Sequence, residues 1–94
     1  KSLIGAELDS FMEKVPTWTV FEENKITKEF SHENFAKALW FVNNVGKLAE
    51  QEEHHPDILL HDFNKVTIIL WTHTIHGLSE NDFILAAKID QLQE

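Results

Sequence analysis

The stretch that most constrains the fold is residues 57–74, where two runs of strand-forming side chains flank a turn signal. Ile58, Leu59, Leu60 and Phe63 precede Asn64-Lys65, and Val66, Ile68, Ile69, Leu70 and Trp71 follow it. Such runs, broken by Asn-Lys, predict an antiparallel hairpin over 57–63 and 66–74. With Asn64-Lys65 as a two-residue turn, Phe63 faces Val66, His61 faces Ile68, Leu59 faces Leu70 and Pro56 faces His73. Directly opposed residues sit about 5 Å apart. The pairing therefore predicts that His54, His55 and His73 share one small volume. It also puts Leu59, Phe63, Val66, Ile68 and Leu70 on one face, with Ile58, Leu60, Ile69 and Trp71 on the other. One face takes helices, and cover for the second favours an oligomer.

The flanking segments complete the pattern. Leu3, Ile4, Leu8, Phe11, Met12 and Val15 recur at three- and four-residue steps, an amphipathic helix that ends before Pro16. Residues 17–21 and 26–30 are β-rich runs around Glu23-Asn24, a first hairpin. Ser31 is a good N-cap for a long helix over about 32–52, with Phe35, Ala38, Leu39, Val42, Val45 and Ala49 as its apolar arc. Phe41 and Leu48 widen one edge of that arc. Trp40 falls on the polar side, either flat on its neighbours or as a partner contact. Gly46 weakens the helix, and close packing against the sheet would account for it. Gly77 breaks the last strand, Ser79 caps a final helix, and Leu85, Ala86, Ile89 and Leu92 give that helix an inward stripe. The predicted class is α+β, a two-layer α-β-β-α-β-β-α domain over 1–94 with a four-stranded antiparallel sheet and three helices on one face.

Charge and composition narrow the function. Sixteen acidic residues against eight basic give a net charge of −8, which repels a phosphate backbone and argues against direct nucleic-acid binding. All eight basic residues are lysines, so the planar bidentate capture of an anion by arginine is absent and a neutral, hydrogen-bonding ligand fits better. No apolar run approaches the roughly 20 residues of a membrane helix, and Lys1-Ser2-Leu3-Ile4 does not read as a secretory signal. The lack of cysteine removes thiol chemistry and is compatible with the cytoplasm.

Clustered imidazoles can remove one proton and deliver another in a single turnover, as a dehydration requires. Neither a nucleophile elbow nor a phosphate-binding glycine loop accompanies them. The residues alone leave three readings open: an acid/base site, a zinc site with His76 as a fourth ligand, or an accident of loop sequence. Asp82, three residues after Ser79, has the spacing of a capping box.

The spacing from Glu50 through His54-His55-Pro56, Phe63 and His73 to Asp82 resembles the signature of the pterin-4a-carbinolamine dehydratases. The segments Phe63-Asn64-Lys65-Val66, Thr72-His73 and Gly77-Leu78-Ser79-Glu80-Asn81-Asp82 resemble that family as well, as does the element order. The resemblance spans nearly the whole chain from about Leu8. It implies dehydration of 4a-hydroxytetrahydropterin to quinonoid dihydropterin and water, within tetrahydrobiopterin recycling, without metal or cofactor. By position, His54 and His73 become the acid/base pair and His55 the main pterin-binding residue, with Pro56 and Thr72 beside it and Glu50 and Asp82 as polar groups at the rim. It further implies a homodimer or homotetramer and a cytoplasmic protein. The alternative it carries is a non-catalytic dimerisation module that binds a transcription factor through the long helix, which would add a nuclear location. Three positions depart from the family pattern: Phe63 replaces a common Tyr, Ile58 a Trp of animal members, and Trp71 is bulkier than expected.

Overall fold

The computed structural model describes residues 2–93. Among them the chain runs α1 (Gly5–Lys14), β1 (Thr19–Phe21), β2 (Lys25–Ser31), α2 (Phe35–Glu52), β3 (Asp57–His61), β4 (Lys65–Leu70), a 3-10 turn (His73–Ile75) and α3 (Glu80–Asp90). The strands form one antiparallel sheet in the order β1-β2-β4-β3, so the two hairpins meet through β2 and β4. The α-β-β-α-β-β-α order is the one that the periodicities predict.

Strand β4 is the spine of the core. Val66, Ile68 and Leu70 alternate with Thr67 and Ile69, and the first three are fully buried. Ile26 of β2 joins them, as do Ala38, Phe41, Val45 and Ala49 from α2 and Phe83, Leu85, Ala86 and Ile89 from α3. Trp18 is buried among them, and its indole N–H donates to the Asp90 carboxylate at 3.1 Å, tying the first hairpin to the end of α3. All three helices thus lie over one sheet face, where apolar side chains at a period of two meet helical stripes.

Four local expectations are corrected by the structure. The second hairpin turns at residues 62–64, with Asp62 and Phe63 at positive φ, rather than at Asn64-Lys65. Leu59 consequently pairs with Thr67 and not with Leu70, a slip of three residues. An odd slip exchanges the faces of a strand: Ile58 and Leu60 pack inward, while Leu59 is 58% exposed. Second, β4 stops at Leu70, and the chain from Thr72 closes a loop on Gly77, so His73 sits on the 3-10 turn and not on a strand.

Third, α2 starts later than Ser31 because β2 stays paired to Lys65 as far as that residue, and the His32 N–H then donates to Asn64 O. Asn34 is the cap instead, its side chain accepting from the Lys37 N–H. The buried stripe of α2 is rotated with it. Phe41, expected at an edge, is central and lies 4.6 Å from Phe30, whereas Phe35 and Leu39 are exposed. Trp40 is half-buried against the core rather than on the polar side. Fourth, a Cβ on Gly46 would meet nothing within 4 Å, so close packing does not explain that glycine. Gly77 is the one that close approach requires: its Cβ would fall 2.1 Å from Ser2 Oγ, beside the Leu3 N–H donating to Leu78 O.

The turn geometry yields a stability prediction. Phe63 has φ 53°, a left-handed conformation that bulky residues adopt at a cost of roughly 1–2 kcal/mol, and its side chain is 64% exposed. Phe63→Asn should therefore stabilise the fold by about 1 kcal/mol, read as a higher denaturant midpoint. A lower midpoint would mean that the exposed ring is held by contacts worth more than the strain.

Candidate functional site

The site is built where α2 ends and β4 gives way to the loop before α3. Helix α2 closes with Glu53 in the left-handed region (φ 53°), and the His54 N–H reaches back to Ala49 O at 3.0 Å. This is the Schellman pattern of helix termination, and Pro56 two residues on prevents the helix from resuming. The result is a fixed exit that points His54 toward α3. On the other side, Thr72 and Gly77 exchange backbone hydrogen bonds, which pin the base of the loop that carries His73.

His54, His55 and His73 line a single cavity of about 360 Å³, together with Glu53, Trp71, Thr72, Thr74 and Asn81. The three imidazoles do converge, although the strand register from which the sequence predicts it is not the one observed. Helix termination and the closed loop bring them together instead.

Their surroundings differ sharply. His54 Nε2 lies 2.6 Å from Asp82 Oδ1, with the His54 side chain 13% exposed and Asp82 fully buried. Asp82 Oδ2 accepts from the Thr72 hydroxyl at 2.8 Å and from the Ser79 N–H at 2.9 Å. Ser79 is the N-cap of α3, and Asp82 stands at its third position in the capping box that the sequence spacing suggests. The Thr72 and Ser79 hydroxyls lie 2.6 Å apart, completing the network. Opposite an ionised carboxylate, which only accepts, Nε2 of His54 carries the hydrogen and a neutral ring leaves Nδ1 without one.

His55 is 63% exposed, and its Nε2 lies 2.6 Å from Glu50 Oε2, one turn back on α2. His73 is exposed and stacks on Trp71, with ring centroids 4.2 Å apart and planes at 22°.

Of the remaining predicted site residues, Thr72 lines the cavity and Glu50, Pro56 and Asp82 do not. Glu50 and Pro56 line a neighbouring groove along α2, on the far side of His55. Asp82, expected at the rim, is buried behind His54 and does not line the cavity. Thr72 reaches the cavity, but its hydroxyl is turned to Asp82. Trp71 and Asn81 also line the cavity, although the sequence does not mark them as site residues; Asn81 adjoins Asp82 on the first turn of α3, within the segment that resembles the family. His76 ends the 3-10 turn and does not line the cavity, and Asn24 donates to its carbonyl. Among the described residues no three His, Cys, Asp or Glu side chains gather closely enough to hold a metal ion.

Fold and site together define an α+β domain with a histidine-lined cavity at one end of its sheet. The family model described as Pterin 4 alpha carbinolamine dehydratase matches residues 1–92, and the chain belongs to that family. A Rubrobacter xylanophilus protein provisionally named pterin-4-alpha-carbinolamine dehydratase is 44% identical over 90 residues, 96% of this chain and 83% of its own length. The Arabidopsis thaliana protein named pterin-4-alpha-carbinolamine dehydratase 2, mitochondrial, is 46% identical, and the match covers 99% of this chain and 51% of that protein. Among solved structures, a Brucella melitensis protein described as a transcriptional coactivator/pterin dehydratase superposes with a TM-score of 0.88 at 27% identity, covering 96% of each chain. A pterin dehydratase-like protein described as a RuBisCO assembly factor of the alpha-carboxysome shares the fold, with a TM-score of 0.66 at 24% identity over 79% of this chain and 86% of its own.

The Asp82 network makes a measurable demand on stability. In Asp82→Asn an amide replaces an oxygen that faces donors on every side, so at least one buried polar group loses its partner. The expected loss is about 1–3 kcal/mol in chemical denaturation. An unchanged stability would mean that the carboxylate is not the acceptor for His54, Thr72 and Ser79.

Proposed function

We propose that this chain is a hydro-lyase that dehydrates 4a-hydroxytetrahydropterin to quinonoid dihydropterin and water. The observation that carries the reading is the cavity itself. Three imidazoles from two separate segments line about 360 Å³, a volume within the range of small-molecule sites. Membership of the dehydratase family supports the same reading.

The reaction asks for two proton transfers and nothing else. A ring N–H gives up its proton, and the electron pair left behind forms the C=N bond at C4a. The C4a–O bond breaks, and the departing oxygen takes a proton to leave as water. We assign the pair of transfers to His54 and His73 and the binding of the flat heterocycle mainly to His55. Asp82 suits His54 to either direction, because a buried carboxylate on Nε2 directs chemistry to Nδ1 and stabilises the imidazolium when the ring holds two protons. With no arginine in the chain, recognition of a neutral heterocycle by imidazole, hydroxyl and amide groups fits the lining.

A second reading has its own observation. Phe35 and Leu39 of α2 are 49% and 41% exposed, an apolar pair on the long helix outside the core. Such a pair suits a contact with further copies, as a dimer or tetramer, or with a transcription-factor partner. In that reading the domain is an interaction module and its catalysis is incidental. Clustered imidazoles favour the enzyme, because a scaffold has no physical need of them.

Dehydration of chemically generated 4a-hydroxytetrahydropterin tests the assignment. His54→Ala and His73→Ala should each lower turnover by roughly two to four orders of magnitude with the fold intact. His55→Ala should mainly raise the substrate concentration needed for half-maximal rate. Full activity in the first two variants would remove them from the mechanism.

A further inference from the structure

We propose that Trp71 is the positioning residue of His73, holding the imidazole at the cavity by stacking where no hydrogen bond does so. The contrast with the other two histidines motivates the assignment. His54 is anchored by Asp82 and His55 by Glu50, each at 2.6 Å. His73 stands exposed on a three-residue 3-10 turn, and among the described residues no polar side chain holds its ring. An imidazole so placed is free to change rotamer unless something packs on it. The indole of Trp71 does so, 4.2 Å away and near parallel at 22°.

The local backbone explains the pairing. Thr72 is extended (φ −94°, ψ 108°) and sends its hydroxyl to Asp82, so its two neighbours emerge together on the opposite side. The indole is itself held. Trp71 follows Leu70, which pairs with Ile26, and this brings it beside Lys25 of β2. The Lys25 ammonium lies 4.6 Å from the indole centroid, a cation–π contact, and is tied to Glu22 at 2.7 Å in the first hairpin turn. A chain of contacts therefore runs from the first hairpin through Lys25 and Trp71 to His73. Trp71 lines the cavity as well, so the indole and the imidazole form one continuous wall. A small side chain at this position would leave the imidazole without a neighbour on that side.

The catalytic consequence rests on the dehydratase reading, whereas the geometry does not, and the test separates them. Wild type, Trp71→Ala and Trp71→Phe are compared in the dehydration assay and in ¹H–¹³C spectra of the histidine rings. Misplacing a proton-transfer group by about 1 Å can cost up to roughly a hundredfold. The kcat of Trp71→Ala should accordingly fall about tenfold or more, with KM within about twofold, and Trp71→Phe should recover most of the loss. The His73 ring resonances, shielded by the indole in wild type, should move downfield in Trp71→Ala while those of His54 stay in place. Unmoved His73 resonances, or a kcat within about twofold of wild type, would overturn the proposal. Should Trp71→Ala not fold, Trp71→Leu, which keeps apolar bulk without a π face, carries the same test. If wild type does not turn over this substrate, the dehydratase reading fails, and the spectra alone decide for or against the positioning role.

Discussion

A fully buried carboxylate is expensive unless its oxygens are matched by donors, and Asp82 is matched three times over. Each donor belongs to a different part of the fold: His54 follows α2, Thr72 follows β4, and Ser79 caps α3. One side chain therefore starts a helix, anchors a loop and orients an imidazole. The residue that anchors two groups of the cavity lining, His54 and Thr72, is thus also one that makes α3 begin in register. Disturbing this carboxylate should move site and fold together, unlike a change at His55 or His73, which stand largely in solvent.

The layered architecture follows from a division of labour between the two sheet faces. Ile26, Val66, Ile68 and Leu70 supply a continuous apolar face that the helices cover. The opposite face mixes Thr27, Glu29, Thr67 and Lys65 with Phe21, Leu59 and Ile69, and among the described residues no helix covers it. Apolar side chains also remain on α2, at Phe35 and Leu39. A small domain with one helical layer cannot bury every apolar residue it carries. Part of what is left exposed lies on the long helix and on the sheet, where a further copy or a partner could take it up.

Periodicity made the elements legible, and counting made the histidine cluster legible, but for a reason that differs from the observed one. Opposing Pro56 to His73 required a strand reaching residue 74 and a turn at Asn64-Lys65. The chain instead turns at residues 62–64, where Asp62 and Phe63 take the left-handed conformation, which aspartate tolerates and phenylalanine does not favour. No local propensity announces a phenylalanine there. The slip exchanges the two faces of β3, so Ile58 and Leu60 replace Leu59 in the core. The cluster survives because it does not depend on strand pairing. His54 is placed by helix termination at Glu53 and His73 by the loop closed between Thr72 and Gly77. The capping-box spacing of Ser79 and Asp82 was readable in the sequence. That the same aspartate would also lie behind His54 was not, since the contact spans 28 residues and depends on how α2 and α3 pack.

The three histidines stand in graded environments, and the gradient bears on how such a cavity could work. His54 is nearly enclosed and held by a buried acceptor, which fixes the orientation of its ring. His55 is held by Glu50, itself largely exposed, in a pair that solvent screens and weakens. Among the described residues His73 rests on stacking alone, which fixes the plane of the ring more firmly than its rotation within that plane. Rigidity thus falls from the floor of the cavity to its mouth. A proton donor or acceptor gains from a fixed floor, because a transfer over hydrogen-bond distance tolerates little misplacement. Groups that admit and release a flat ligand gain from freedom at the mouth. In the proposed chemistry this suits His54 to proton transfer and His55 to binding, whereas His73, the second proposed proton-transfer ring, depends on Trp71 for its placement.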